Sequence, residues 1–344
     1  MKCCYDITFH PSWWYKNAGI QFGKRFFYDP DYRLEADIHM RKCLFDRFGE
    51  FGLGEKEPKP RPVIDSELVA GEYLQSMMLG CEIQFSDQNL PEVLCANLNE
   101  SQIEKISEKD LSDYEGWKEI VAQIDYLEEK FGYIESHIDL HGVQNLALDL
   151  RGMELFIDYY EQPQIAQKLL KSCAILISRV GEYLSRRSHT LSAGVTSIMK
   201  QIDPSIFVTS NCTVEMVSNE VYETHLLQWD NYLASRFKRF GLHHCGKTME
   251  HLIQGYSKLQ NVSFFEVGAF SNIKEIRSAF PDTFLNLRYS PVRLKDVSPE
   301  ELKADIMLML EDGYREGKTS ISCVGIDADT SDEKIKEFLS IVRG

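Results

Sequence analysis

The stretch GLHHCGKTMEHLIQGYSKLQNVSFFEV, residues 241–267, reads as strand, helix, strand. Gly241–Cys245 forms the first strand, a helix is expected from about Lys247 to Lys258, and VSFFEV (Val262–Val267) forms the second. Two strands joined by a helix lie parallel, because the crossover returns the chain to the same end of the sheet. The same alternation continues outward. SIFVTS (Ser205–Ser210) is a strand ending in Asn211-Cys212, followed by a helix over Asn219–Phe240. Downstream, DTFLNL (Asp282–Leu287) and SISCV (Ser320–Val324) are strands, with helices over Pro299–Glu316 and Ser331–Val342. Upstream, Tyr133–Leu140 alternates like a strand after a helix over Glu115–Lys130, and Glu67–Met78 reads as a helix before a short strand around Glu82–Phe85. Pro163 opens a long helix, at the position where a missing N–H costs nothing. Ile165, Leu169, Cys173, Leu176, Val180 and Leu184 recur there at spacings of three and four, which makes one buried stripe. Repeated strand–helix units of this kind fit a closed TIM (β/α)8 barrel better than an open sheet.

The barrel is expected to occupy the chain, residues 1–344, as a single domain. Residues 1–62 are aromatic and charge-dense and end in the Pro-rich loop GEKEPKPRP (Gly54–Pro62), so they read as an N-terminal extension packed on the barrel. The net charge of −15 repels phosphate backbones, which excludes nucleic acid as an expected partner. No apolar run approaches the roughly 20 residues that span a bilayer, and Met1–His10 carries no apolar signal core. Nine cysteines, odd in number and widely spaced, do not read as a disulfide framework, and a reduced cytoplasmic protein is expected.

Three strand ends carry soft or anionic groups. His243 and Cys245 are two apart, so on a strand both face one way. Glu266 ends the next strand and Cys323 ends the last. Parallel barrel strands converge on one mouth, where active sites are built. Two thiolates, an imidazole and a carboxylate suit zinc. His244 points away from Cys245 by strand alternation and reads as packing. His137, Asp139 and His141 alternate on one strand and could form a substrate-binding wall or a structural polar cluster; Asn211 is a further pocket candidate. Trp13, Trp14 and Tyr15 could cap a substrate by stacking or cation–π contact, or plug the core.

These residues also resemble a known family. GLHHCGKTMEHLI (Gly241–Ile253) resembles the His-x-Cys-Gly segment of corrinoid-dependent methyltransferases of the methylcobalamin:coenzyme M type. LALDLRGMELFIDYYEQPQIAQKLL (Leu146–Leu170) resembles a segment shared by the uroporphyrinogen decarboxylase superfamily, and SCVGIDADTSDEKIKEFLSIVR (Ser322–Arg343) resembles its closing Cys-Gly-Ile segment. Here Val324 stands between Cys323 and Gly325, and Ser331 replaces the usual Pro. The spacing of His243, Cys245, Glu266 and Cys323 is similar to the zinc pattern of cobalamin-independent methionine synthase. The resemblance implies zinc on those four residues and methyl transfer between a corrinoid (cobalamin) carried by a partner protein and a thiol or methylated small molecule. The superfamily also implies an alternative, decarboxylation of a tetrapyrrole or related acid. That activity uses an early pair of arginines, and Lys16 and Ile20 stand where they would be.

Overall fold

The computed structural model describes residues 3–66, 73–106 and 108–344. Ten strands are formed among them: β1 (Cys4–Phe9), β2 (Val63–Asp65), β3 (Glu82–Gln84), β4 (Glu92–Leu94), β5 (Glu135–His137), β6 (Phe207–Ser210), β7 (Phe240–His243), β8 (Val262–Val267), β9 (Phe284–Tyr289) and β10 (Thr319–Ile326). Six of them make one parallel sheet in the order β1-β10-β9-β8-β7-β6.

The register of that sheet separates two faces. Leu242, Phe265 and Leu285 are neighbours across β7, β8 and β9, as are Val267, Leu287 and Ile321 across β8, β9 and β10. These side chains are fully or almost fully buried, and they face the helices; a Cβ on Gly313 of helix Pro299–Gly313 would touch Leu287. The alternate rows are polar. Ser210, His243, Glu266, Asn286 and Ser320 lie side by side across five strands on the inner face. Asn286 Nδ2 donates to Ser322 Oγ at 3.0 Å and Ser320 Oγ donates to Asn286 Oδ1 at 2.9 Å, so the Asn286–Ser320 end of this row is satisfied inside the sheet's curl.

The expected ring is only partly formed. β2 pairs with β5 in parallel, and a single bridge between His141 and Ser210 joins the continuation of β5 to β6. Residues 188–192 lie between them and fasten them by side chains. Ser136 N–H donates to Ser188 Oγ (2.7 Å), Thr190 Oγ1 donates to Ser136 O (2.6 Å), and Val208 N–H donates to Ser192 Oγ (2.8 Å). No ladder joins β1 to β2 among the described residues, so the sheet is a curled half-barrel with a detached strand pair, not a closed eight-stranded ring. Both paired strands are three residues long, and β2 ends at Asp65 in a left-handed conformation (φ 63°) that breaks the ladder.

Other expectations shift. Residues 4–9, read as part of an N-terminal extension, are an integral strand against β10. The strand near Glu82 pairs antiparallel with β4 in a separate hairpin. The long helix runs Pro163–Arg187 with Leu169, Cys173, Leu176, Val180 and Leu184 buried, as the stripe requires. Burying each such leucine contributes roughly 1.5–3 kcal/mol before entropy is counted. The helix expected over Asn219–Phe240 is interrupted by a π turn at Tyr222–Leu226 and ends at Arg236. Between β7 and β8 only short turns form, at Glu250–Leu252 and Ile253–Tyr256. Residues 67–72 of the expected Glu67–Met78 helix lie outside the described residues; Leu74–Met78 is helical. No described helix is long and apolar enough to cross a membrane.

Candidate metal centre

The C-terminal ends of β6 and β7 meet. Asn211 N–H donates to His243 O at 2.7 Å, which continues the ladder one residue past β6 and carries Cys212 to the side of Cys245. The two cysteines are joined as a disulfide with Cα atoms 5.0 Å apart. This single pair is not a framework: Cys3, Cys4, Cys43, Cys81, Cys95, Cys173 and Cys323 are all free. Ligand atoms of Cys212, His243 and Cys245 lie within 4.8 Å of one another, and no other such group of three occurs among the described residues. Both cysteines are half-buried and His243 is buried, so the group sits at the rim of the mouth and not in the core.

His243 is held from behind. Its Nδ1 is 3.1 Å from Glu266 Oε2, and Glu266 Oε1 is 3.2 Å from Arg288 Nε. Burial alone would raise the Glu266 carboxyl; the neighbouring His243, Arg288 and Thr196 overcome it and hold the group down to about 2. A carboxylate on one imidazole nitrogen fixes the ring and leaves the other nitrogen for a metal. Glu266, expected as one of four ligands with His243, Cys245 and Cys323, thus stands behind His243, outside the Cys212–His243–Cys245 group.

Cys323 is not brought to the group. It is level with Tyr289 and Ile7 in the sheet, and Tyr289 faces the helices, its ring 5.9 Å from Phe338 and its hydroxyl donating to Asp305 at 2.8 Å. Ser322, one residue earlier, faces inward. Strand alternation therefore turns the Cys323 thiol to the helix side. Burial then pushes that thiol up to about 12.

The remaining candidates are tied into the protein. His141 Nδ1 is 2.8 Å from Gln75 Oε1 and its Nε2 is 3.0 Å from Ser76 Oγ and 3.3 Å from Asp149. His137 Nε2 is 3.5 Å from Glu135, and both histidines are buried. Asn211 Nδ2 donates to Asp230 Oδ2 at 2.8 Å. Trp14 is fully buried, its ring 4.9 Å from that of Trp13 and 5.3 Å from Phe9, so it plugs the core and offers no face to a substrate. His244 packs as expected, with Nδ1 3.0 Å from Tyr256 Oη, and burial lowers it to about 4.

The fold has a solved counterpart. The chain resembles a methyltransferase from Methanosarcina mazei, with a TM-score of 0.67 over 99% of this chain and 93% of that one, at 15% identity. At that identity the likeness is one of fold. A B12-independent methionine synthase from Shewanella sp. W3-18-1 (TM-score 0.45, 9% identity, 95% of this chain and 94% of that one) and a protein of Listeria monocytogenes described as a vitamin-B12-independent methionine synthase (0.45, 11%, 91% and 86%) are too distant to carry an argument. No protein-family model and no curated protein matches the sequence.

Two residues of the site, Cys212 and Arg288, and one buried carboxylate beside the candidate histidines, Asp65, were not singled out in the sequence. Cys212 directly follows a strand and precedes the His-x-Cys strand by one helix, which is the signal that could have found it. Arg288 is two residues past Asn286, on the inner face of β9. Asp65 ends β2 level with His137, and burial raises it to about 7 against the opposing charge of Arg33. Nothing in the sequence alone marks the last two, because each acquires its place from strand register.

Proposed function

We propose that this chain is a zinc-dependent methyltransferase in which Cys212, His243 and Cys245, in their reduced form, hold the metal. The observation that carries the reading is the convergence of these three donors on one rim, with Glu266 and Arg288 orienting His243. Two thiolates and an imidazole are a zinc donor set, and with three protein donors a bound zinc would remain open to a substrate. The fold shared with a methyltransferase points the same way. We read the half-barrel as a variant of the TIM barrel of the uroporphyrinogen decarboxylase-like superfamily.

When bound, zinc supplies Lewis acidity that lowers the pKa of a thiol or polarises the heteroatom of a methylated donor. The protein's own residues do the rest. Glu266, ionised and paired to Arg288, fixes the His243 ring. The inner polar row of Asn286, Ser320 and Ser322 is internally satisfied, so it holds the strand ends without competing for the ligand. The methyl group passes between the small molecule and a corrinoid carried by a separate partner protein, and the chain's task is to place the two reactants in line. Tetrapyrrole decarboxylation has less support. Lys16 donates to Ala328 O at 2.6 Å and Ile20 is buried, so no cationic cradle stands at those positions.

The test is transfer from free methylcobalamin to a panel of thiols, and from methylated amines and methoxylated aromatics to reduced cobalamin, with reduced zinc-loaded protein. Transfer to at least one acceptor above the protein-free rate is expected, and it should vanish in Cys245→Ser. Zinc-loaded protein inert toward the whole panel would count against the reading.

A further inference from the structure

We propose that Cys212 and Cys245 are a redox-active pair whose disulfide and whose metal complex exclude each other, so that oxidation empties the metal centre. The inference rests on the metal reading above and adds to it a modification site. The Cα atoms, 5.0 Å apart, lie within the range that a disulfide bridges without backbone movement. The same two sulfurs, with His243, make the one three-donor group among the described residues. A sulfur bound in a disulfide is no longer a thiolate and cannot serve as an anionic ligand.

Position selects this pair. Cys212 and Cys245 follow neighbouring strands, are separated by 33 residues of sequence, and are half-buried, so a small oxidant reaches them. Cys81, Cys173 and Cys323 are buried, and burial raises each of their thiols well above the ordinary thiol range. Cys3, Cys4, Cys43 and Cys95 are unpaired. A purely structural bridge would not account for the buried His243–Glu266–Arg288 chain directed at it.

The co-reactant is a peroxide. One thiolate attacks an O–O bond and takes one oxygen as sulfenic acid, the other leaving as water or an alcohol. The second thiol then displaces water from the sulfenic sulfur and forms the S–S bond. In sum the two metal-bound thiolates lose two electrons to the peroxide, two protons from solvent complete its reduction to water or to water and an alcohol, and the metal departs as Zn²⁺ with its charge unchanged. A dithiol reductant reverses the step by exchange.

The experiment uses the full chain, reduced and loaded with zinc, titrated with hydrogen peroxide. Released zinc is read with a chromogenic chelator, and linkages are mapped by mass spectrometry of unreduced peptides. Zinc release should track formation of the Cys212–Cys245 linkage one for one, and dithiothreitol should restore binding. Cys323→Ser should behave like the wild type, whereas Cys212→Ser should form no linkage at Cys245 with any cysteine of the chain. Zinc retained in protein whose Cys212–Cys245 linkage is complete would overturn the proposal. So would zinc release with Cys245 overoxidised and no linkage formed. Reduced protein that takes up no zinc at all would overturn the metal reading and this inference together, which separates that failure from the other two.

Discussion

Glu266 is fully buried and ionised because two partners, His243 Nδ1 at 3.1 Å and Arg288 Nε at 3.2 Å, share its carboxylate. Replacing it by glutamine keeps the shape and removes the charge that fixes the imidazole. Glu266→Gln is therefore expected to weaken zinc affinity about 10–100-fold while leaving the stoichiometry at one. Competition with a chelator of known affinity checks this, and an unchanged affinity would show that His243 needs no orienting group. At this scale the sequence was legible where two candidate donors lie close together in sequence: the proximity of His243 and Cys245 follows from a spacing of two. It was not legible across strands. Cys323 fits the expected spacing, yet the register places it level with Tyr289, on the helix side. Cys212 joins the group from a strand end, Asn211-Cys212, where Asn211 was taken as the pocket residue.

The π turn at Tyr222–Leu226 and the helix Leu227–Arg236 pack under the metal rim through one carboxylate. Asp230 Oδ2 accepts from Tyr222 Oη and from Asn211 Nδ2, both at 2.8 Å, and Asn211 neighbours Cys212. Burial raises Asp230 to about 6, with those two hydrogen bonds opposing the rise. The folded protein therefore holds a proton that the unfolded chain has released, and stability falls as pH rises from about 4 to about 6. Asp230→Asn keeps an acceptor oxygen and removes this loss. Its stability relative to the wild type should rise across that interval and level off above it, by at most about 3 kcal/mol. Urea denaturation at a series of pH values measures it, and a pH-independent difference would mean that Asp230 is ionised throughout. A second element prediction concerns residues 188–194, which carry the side chains that fasten β5 to β6. A Cβ on Gly194 would lie 1.9 Å from the His137 carbonyl oxygen. Gly194→Ala must move one backbone against the other and is expected to lower the melting temperature sharply or prevent soluble folding. A melt within a degree of the wild type would show that this approach relaxes freely. No periodicity marks that segment, since its contacts are hydroxyl to backbone and not an apolar stripe. The long helix Pro163–Arg187 was legible from its first residue and along its buried face because its stripe persists for five turns.

At the scale of the molecule, alternation of strands and helices was enough to read a parallel α/β fold, and the likeness to the Methanosarcina mazei methyltransferase extends over nearly the whole chain. Closure was not readable, because it depends on pairing between strands of three residues that propensity cannot rank. The first strand was hidden in an aromatic region whose composition resembles an appended layer, although Ile7 and Phe9 pack into the same core as the C-terminal helix. What the fold accomplishes is to bring Cys212, His243 and Cys245 together from two adjacent strand ends while Cys323 remains behind the sheet. The most direct measurement is elemental analysis of reduced protein purified without chelator, for the wild type and for Cys212→Ser, Cys245→Ser and Cys323→Ser, with thermal melts to confirm folding. The account predicts about one zinc per chain in the wild type and in Cys323→Ser, and little in the other two. Zinc lost in Cys323→Ser and kept in Cys212→Ser would contradict it.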